Sequence, residues 1–353
     1  MDAVDVALVD FDVAPLKLIG YREYPLEDNI RQQLRGEILS PDHLGRLDTS
    51  LGRNFANATE AMMSEMGIDR EAITAIGSHG QTAAHHPDGA EPFSLQLGDP
   101  NIIAQQTGIT TVADFRRRDI AAGGQGAPLA PGFHAFMFRH QKLNRTIVNI
   151  GGIANLTVLP ADHSQPVTGF DTGPGNTLLD AWTREHMGRA FDNDGEWAAG
   201  GTSNSELLDA LLQDSFVHQQ GPKSTGTGHY NIAWLRNILN SVGATIAAQD
   251  VQATLSSFTT ETIVSAIDNN AASCQEVFVC GGGAHNSNSM TALAKSLGSR
   301  ALDTTDKLGL PADAVEACAF AWLAERRLAE RPANLPSVTG AERPVVLGGV
   351  YSK

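Results

Sequence analysis

Short apolar runs broken by Asp between residues 4 and 12 predict a strand, and the segment 68–77 closes on a second, Ala75-Ile76-Gly77. Between them Leu44, Leu47, Leu51, Phe55, Ala58 and Met62 recur at three- and four-residue spacing. That period draws one apolar face of a helix opening near Pro41-Asp42, and such a face belongs in a core. Runs bounded by Gly or Pro predict strands at 146–150, 153–159, 167–170 and 276–280. Helical patterns fit 177–187, 251–269 and 314–330, the second taking its apolar side from Val251, Leu255, Phe258 and Ile263. Strands alternating with helices indicate an α/β class. No low-complexity tract and no period of ~20 to 50 residues is present, which excludes a solenoid.

At 353 residues the chain exceeds the size at which one hydrophobic core stops growing, so two lobes are expected. The Gly-rich stretch Gly123-Gly124-Gln125-Gly126-Ala127-Pro128 sets the boundary. An N-terminal lobe then covers 1–130 and a C-terminal lobe 131–353, with the last helix and tail free to cross back. The formal charge of −15 excludes the basic footprint that a nucleic acid or an anionic membrane surface requires. An anionic small substrate would need local cancellation by placed cations. Cys274, Cys280 and Cys318 form no C-x-x-C pair, and an odd number cannot all be bridged, so they read as buried packing thiols in a reducing compartment. The start Met1-Asp2-Ala3-Val4-Asp5 is acidic where a signal peptide is basic, and no long apolar run follows, so a cytoplasmic protein without a membrane span is expected.

Four Gly clusters follow or join apolar runs: Gly123 to Gly126, Gly151-Gly152, Gly173-Pro174-Gly175-Asn176 and Gly281-Gly282-Gly283. Glycine lets backbone approach a ligand closely, and consecutive N–H groups can nest a phosphate, although any single cluster also reads as a tight turn. Neither the Walker spacing nor a Rossmann G-x-G-x-x-G is present, which leaves a nucleotide held by hairpins and strand-to-helix turns of two lobes. The segment 169–177 places Asp171 at a strand end and then a helix N-terminus, whose open N–H groups attract anions. The competing reading of Asp171 on local sequence is an Asx-turn or cap. His79, His85 and His86 have no Cys or carboxylate at ligand spacing, so polar packing outweighs zinc.

The motifs Ser78-His79-Gly80-Gln81-Thr82, Asp114-Phe115-Arg116-Arg117-Arg118-Asp119, Gly124 to Leu129, Asn149 to Leu156, Phe170 to Asn176, Lys223-Ser224-Thr225-Gly226, Cys280 to Gly283 and Leu335 to Ala341 occur in order along the chain. Together they resemble the anhydro-N-acetylmuramic acid kinases, sugar kinases of the actin, hexokinase and heat-shock ATPase superfamily. The resemblance implies two ribonuclease-H-like lobes with an interlobe cleft for ATP. It also implies conversion of 1,6-anhydro-N-acetylmuramic acid, water and ATP to N-acetylmuramic acid 6-phosphate and ADP, in recycling of cell-wall fragments. Partners would be the sugar and ATP, without nucleic acid or membrane, and a homodimer is one assembly open to the chain.

By motif match, Asp171 would be the general base that activates water for attack at C1. Glu316 matches an acid near the anomeric centre, although Asp313 and Glu316 also have capping-box spacing. Arg116 would clamp the lactyl carboxylate or a transferring phosphate, ahead of Arg117 and Arg118, against the alternative of a solvated arginine run. Thr82, Asp114 and Asn155 fall on the sugar side. Asp2 and Asp5, the pairs Gly151-Gly152 and Gly173 with Gly175, and Asn176 fall on the ATP phosphates. The turn Gly281, Gly282, Gly283 and Asn286 resembles the one that meets adenosine. No protein metal ligand is certain, and Mg²⁺ is expected through ATP and water.

The chain departs from the family at its start, which falls inside the Gly-Thr-Ser-x-Asp-Gly phosphate turn, with Ala3 where Gly is usual. A start assigned too late is the expectation this raises. Thr227-Gly228-His229 also stands where Arg and Glu are more usual. Two rival readings accompany the kinase: a phosphatase using the same cleft, and a sugar-binding pseudokinase lacking the first phosphate loop.

Overall fold

The computed structural model describes residues 3–35, 40–219, 221, 223–226, 228–243 and 245–353. Asp2 and Thr227, both singled out above, lie outside them. The chain divides into two compact units, Met1–Met137 with Glu316–Lys353, and Phe138–Val315.

In the first unit β1 (Ala3–Asp10) and β2 (Lys17–Pro25) form an antiparallel pair. The amphipathic segment is a helix, Pro41–Met66. Ser40 caps it by accepting the His43 N–H at 3.1 Å, Pro41 occupies the first turn, and Gly67 closes it at φ 63°. Leu47, Leu51, Phe55 and Ala58 bury against Val4, Leu26, Leu97 and Ile103. Each such side chain contributes about 1.5–3 kcal/mol, which is why the sequence period and the buried face coincide. The remaining strands of this segment are β3 (Ile76–Gly77), β4 (Gln81–His86), β5 (Phe93–Leu97) and β6 (Thr111–Ala113). β4 pairs antiparallel with β5, and β3 parallel with β6.

The second unit is built on a five-stranded sheet of β7 (Arg145–Ile150), β8 (Ile153–Leu159), β9 (Thr168–Pro174), β10 (Glu276–Cys280) and β11 (Ala301–Thr304), in the order β11-β10-β7-β8-β9. β7, β8 and β9 form an antiparallel meander, while β10 runs parallel to both β7 and β11. Three antiparallel strands followed by two parallel to the first is the ribonuclease-H-like arrangement. The helix Ala248–Asn270 covers it, placing Ile263 and Ile267 on Val148, Leu156, Val277 and Val279. Thr254, Thr259, Thr260 and Thr262 on the same helix are also buried. Several of these hydroxyls bond to backbone carbonyls, so burial extends beyond the apolar stripe that the pattern reveals.

One boundary differs from expectation in a way that matters. β9 continues to Pro174 rather than stopping at Phe170, so Asp171 lies inside a strand and not at its end. Polar and glycine residues end an apolar run, yet here they stay in the ladder, with Asn155 opposite Asp171 and Ala154 opposite Gly173 across a register shift. The chain finishes in the first unit with the helix Val315–Leu328, from Glu316 onward, and β12 (Gly349–Tyr351), antiparallel to β6. All three cysteines are free and buried. Among the described residues no helix is long and apolar enough to cross a membrane.

Candidate active site

In the second unit the carboxylate of Asp171 is held from one side. Its Oδ2 accepts the Thr225 N–H at 2.8 Å, and its own N–H donates to the Lys223 carbonyl at 3.1 Å. Burial lifts its carboxyl to about 6, against the Thr225 N–H and the Lys223 ammonium, which both favour the ionised form. Neither an Asx-turn nor a helix cap describes this residue. Asn155 stands opposite it across the β8–β9 ladder, so two of the expected side chains are cross-strand neighbours.

The Gly-rich turns gather at one end of the same sheet. The hairpin Gly151-Gly152 joins β7 to β8, and its carbonyls accept the N–H groups of Gly175, Asn176 and Thr177 at 2.9, 2.8 and 3.1 Å. Those donors at the start of the helix Thr177–Met187 are therefore engaged by protein, where the sequence had suggested an open anion site. Asn176 makes no side-chain cap either, and its Nδ2 donates to the Ile150 carbonyl at 3.3 Å.

Space above the glycines separates two kinds. A Cβ on Gly175 would collide with the Gly151 carbonyl, one on Gly281 with Asn149, and one on Gly283 with Ile150. These three permit close packing of strand exits. By contrast, a Cβ on Gly282 would meet nothing nearer than Asn176 Nδ2 at 4.0 Å, and one on Gly151 nothing nearer than the Ile153 carbonyl at 3.6 Å. Their open faces suit backbone contact with a ligand. Gly173 lies in β9 against Thr262. Asn286 caps the helix Ser287–Ser296 by accepting the Ser289 N–H at 3.0 Å.

In the first unit a second polar group surrounds Arg116. Its Nη1 donates to the Gly126 carbonyl at 2.9 Å and its Nη2 lies 2.8 Å from His79 Nε2. A guanidinium can only donate, so His79 Nε2 accepts and the imidazole carries its proton on Nδ1. Burial, with Arg116 beside it, holds the His79 pKa down to about 3, and the ring stacks on Phe320 at 4.4 Å. This histidine is polar packing around an arginine rather than a metal ligand, and Arg116 is no solvated charge. Burial raises the Glu316 carboxyl, the Arg116 charge opposes that rise, and Asp5 adds to it. Glu316 is not part of a capping box. Asp313 lies within the short turn Ala312–Ala314 and pairs with His285 at 2.7 Å.

Asp119, fully buried, binds the surrounding loops together. It accepts from the Gly126 N–H at 2.7 Å, Asn334 Nδ2 at 2.7 Å and Thr339 Oγ1 at 2.8 Å. The turn 124–129 and the distant segment 334–339 thus meet on one carboxylate. Asp114 takes φ 60°, unusual for a residue with a side chain, and pairs with Arg117 at 3.3 Å. Burial raises its carboxyl and Arg117 lowers it. Asp114 and Arg117 line a cavity of about 310 Å³ together with Ser78, His79, Asp48 and Gln96. Thr82 borders it indirectly, accepting from Gln96 Nε2 at 3.2 Å. Asp5 receives the Tyr21 hydroxyl at 2.8 Å.

The sequence matches the anhydro-N-acetylmuramic acid kinase family model over residues 1–353. The chain belongs to this family. It is 46% identical over 358 residues to the anhydro-N-acetylmuramic acid kinase of Coxiella burnetii (strain Dugway 5J108-111), covering 99% of this chain and 94% of that protein. The Photobacterium profundum kinase is also 46% identical, over 99% of this chain and 96% of its own length. Among solved structures, the activator of 2-hydroxyisocaproyl-CoA dehydratase from Clostridium difficile with bound ADPNP aligns over 89% of this chain and 90% of its own at 12% identity and TM-score 0.40. Family membership makes the chain a kinase and a user of ATP. Neither the phosphatase nor the binding-only reading finds support in these matches.

His79, Asp119, Lys223 and Thr225 were not singled out as site residues by sequence reasoning, although each lies inside a quoted motif. Their roles depend on burial and on partners far away in the chain, and no local window carries either.

Proposed function

We propose that this protein hydrolytically opens 1,6-anhydro-N-acetylmuramic acid and phosphorylates O6, releasing N-acetylmuramic acid 6-phosphate and ADP, in the cytoplasm and in recycling of cell-wall fragments. The observation that carries the mechanism is the half-buried Asp171, fixed through Oδ2 and raised to about 6. A base of that strength is mostly ionised near neutral pH and still accepts a proton readily. In the substrate O6 is an ether oxygen and becomes nucleophilic only as its bond to C1 breaks. Asp171 takes the proton of the water that attacks C1, so the electron pair of the C1–O6 bond passes to O6 as that oxygen accepts the phosphoryl group. Glu316 and Arg116 belong to the sugar side, where their opposite charges stabilise the anomeric centre and the developing anion.

The open faces of Gly151 and Gly282, with Asn176 between, fit a nucleotide lying on backbone, and Gly152, Gly173, Gly281 and Asn286 support that turn region. When bound, ATP supplies the transferable phosphoryl group, and Mg²⁺ neutralises its oxygens. Mg²⁺ would be held through the ATP phosphates and water.

The decisive assay follows both products with and without the anhydro sugar. Sugar-dependent formation of ADP and the 6-phosphate in equal amounts is expected, and equal ADP formation without sugar would overturn the reading. The pH profile supplies a second expectation. Because the ionised carboxylate acts and burial raises its pKa, kcat should be maintained above pH 6 and fall about tenfold per pH unit well below it. A profile flat from pH 7 to pH 4.5 would remove Asp171 from the base role.

A further inference from the structure

The Lys223-Ser224-Thr225-Gly226 motif is left without a task by the chemistry above, yet it lies directly against the base. Lys223 is only 8% exposed, unusual for a lysine. Its ammonium donates to the Phe216 and Val217 carbonyls at 2.8 and 3.1 Å, within the short helix Ser215–His218. It also lies over the Phe216 ring at 4.5 Å and within 6.0 Å of the Phe170 ring. The other end of the loop returns to that helix. Asp214 caps it by accepting the Phe216 N–H at 3.1 Å, and it also meets Tyr230 Oη at 3.0 Å and His229 Nε2 at 2.9 Å. Residues 223–226, through Lys223, and 228–230, through His229 and Tyr230, are thus both pinned to one four-residue helix and its cap. The first of these segments presents the Lys223 carbonyl and the Thr225 N–H to Asp171.

We propose that Lys223 is a positioning residue for the reaction: its buried ammonium locks the segment 223–226 that grips Asp171 and supplies the positive charge facing that carboxylate. This rests on the reading of Asp171 as the base. Within the second unit Lys223 is the charged group acting on Asp171. Asn155 on β8 is neutral, as are Thr259 and Thr262, which pack on the end of β9 from the helix Ala248–Asn270. Asp214 acts one step away, through its attraction for the Lys223 ammonium. His229 Nε2 lies 2.9 Å from the Asp214 carboxylate. Burial weakens the ammonium form of Lys223, and Asp171 and Asp214 sustain it.

The test compares kcat–pH profiles of Lys223→Met, Lys223→Arg and Asp214→Asn with the unmodified protein, using anhydro sugar and ATP. Lys223→Met, which keeps length and removes charge, should move the acid limb up by about one pH unit and lower kcat about tenfold at neutral pH, with the sugar KM within about twofold. Lys223→Arg should restore the limb. Asp214→Asn leaves the ammonium less opposed and should move it down. A folded Lys223→Met variant with the limb in place would overturn the proposal. If that variant does not fold, an unmoved limb in Asp214→Asn overturns it instead. Asp171→Asn separates the two readings: full turnover there refutes the base, whereas inactivity there with unmoved limbs elsewhere refutes only the role of Lys223.

Discussion

Replacing Asp171 by Asn should lower kcat by ~10²- to 10⁴-fold while leaving the fold intact. The amide oxygen can still accept the Thr225 N–H that Oδ2 now receives, so geometry is retained and proton acceptance is lost. Stability should move the other way. Because burial raises the Asp171 pKa from 3.8 to about 6, the folded state loses stability as pH rises from about 4 to about 6, the penalty is complete above 6, and protonation relieves it as pH falls. A neutral amide escapes that penalty, so at pH 7.5 Asp171→Asn should be more stable by about 3 kcal/mol and unfold at a higher temperature. Steady-state kinetics and thermal unfolding on one preparation check both halves. An active Asn variant, or one destabilised at pH 7.5, would contradict this account of the residue.

The largest effect on stability is expected at Asp119. Its replacement by Ala leaves the Gly126 N–H, Asn334 Nδ2 and Thr339 Oγ1 without their shared acceptor inside the protein. It also removes a negative charge acting on the buried Arg116. Loss of one partner from such a buried charged network costs about 3–5 kcal/mol, or roughly 10 °C in the melting temperature of the first unit. Calorimetry should show that unit melting early, and a variant within about 1 kcal/mol of the parent would mean that water replaces the carboxylate.

The contrast between these two aspartates shows how much the sequence discloses. Asp171 lies between apolar Phe170 and a Gly-rich turn, and the resemblance marks it at once. Even so, its position inside β9 escapes a reading by apolar runs, because Asp171 and Gly173 remain in the ladder through their backbones, with Thr172 bulged between them. The helix Pro41–Met66 and the β7–β8 hairpin are legible because every signal is local: a cap, a period, two glycines. Asp119 is different. Two of its three partners stand 215 and 220 residues away, and no pattern near it distinguishes a buried anchor from a surface acid. Likewise Lys223 reads as a loop lysine until two carbonyls and two rings are seen around its ammonium. Asp313 and Glu316 give the opposite error, since capping-box spacing is met and the box is not formed.

The parallel pairing of β10 with β7 has a consequence for synthesis. Arg145 and Glu276, joined by a 2.8 Å ion pair across these strands, are 131 residues apart. At ~5 to 20 residues per second, a ribosome that has delivered Arg145 needs on the order of 7 to 26 s to deliver Glu276. During that interval the nascent meander of β7, β8 and β9 can form, but β7 keeps a free edge where β10 will dock. The first unit waits longer still, because Gly349–Tyr351 must be made before β12 can close against β6. The β7 edge of a ribosome-bound chain should therefore stay open until β10 has emerged, and slowing translation should lengthen that exposure rather than assist folding.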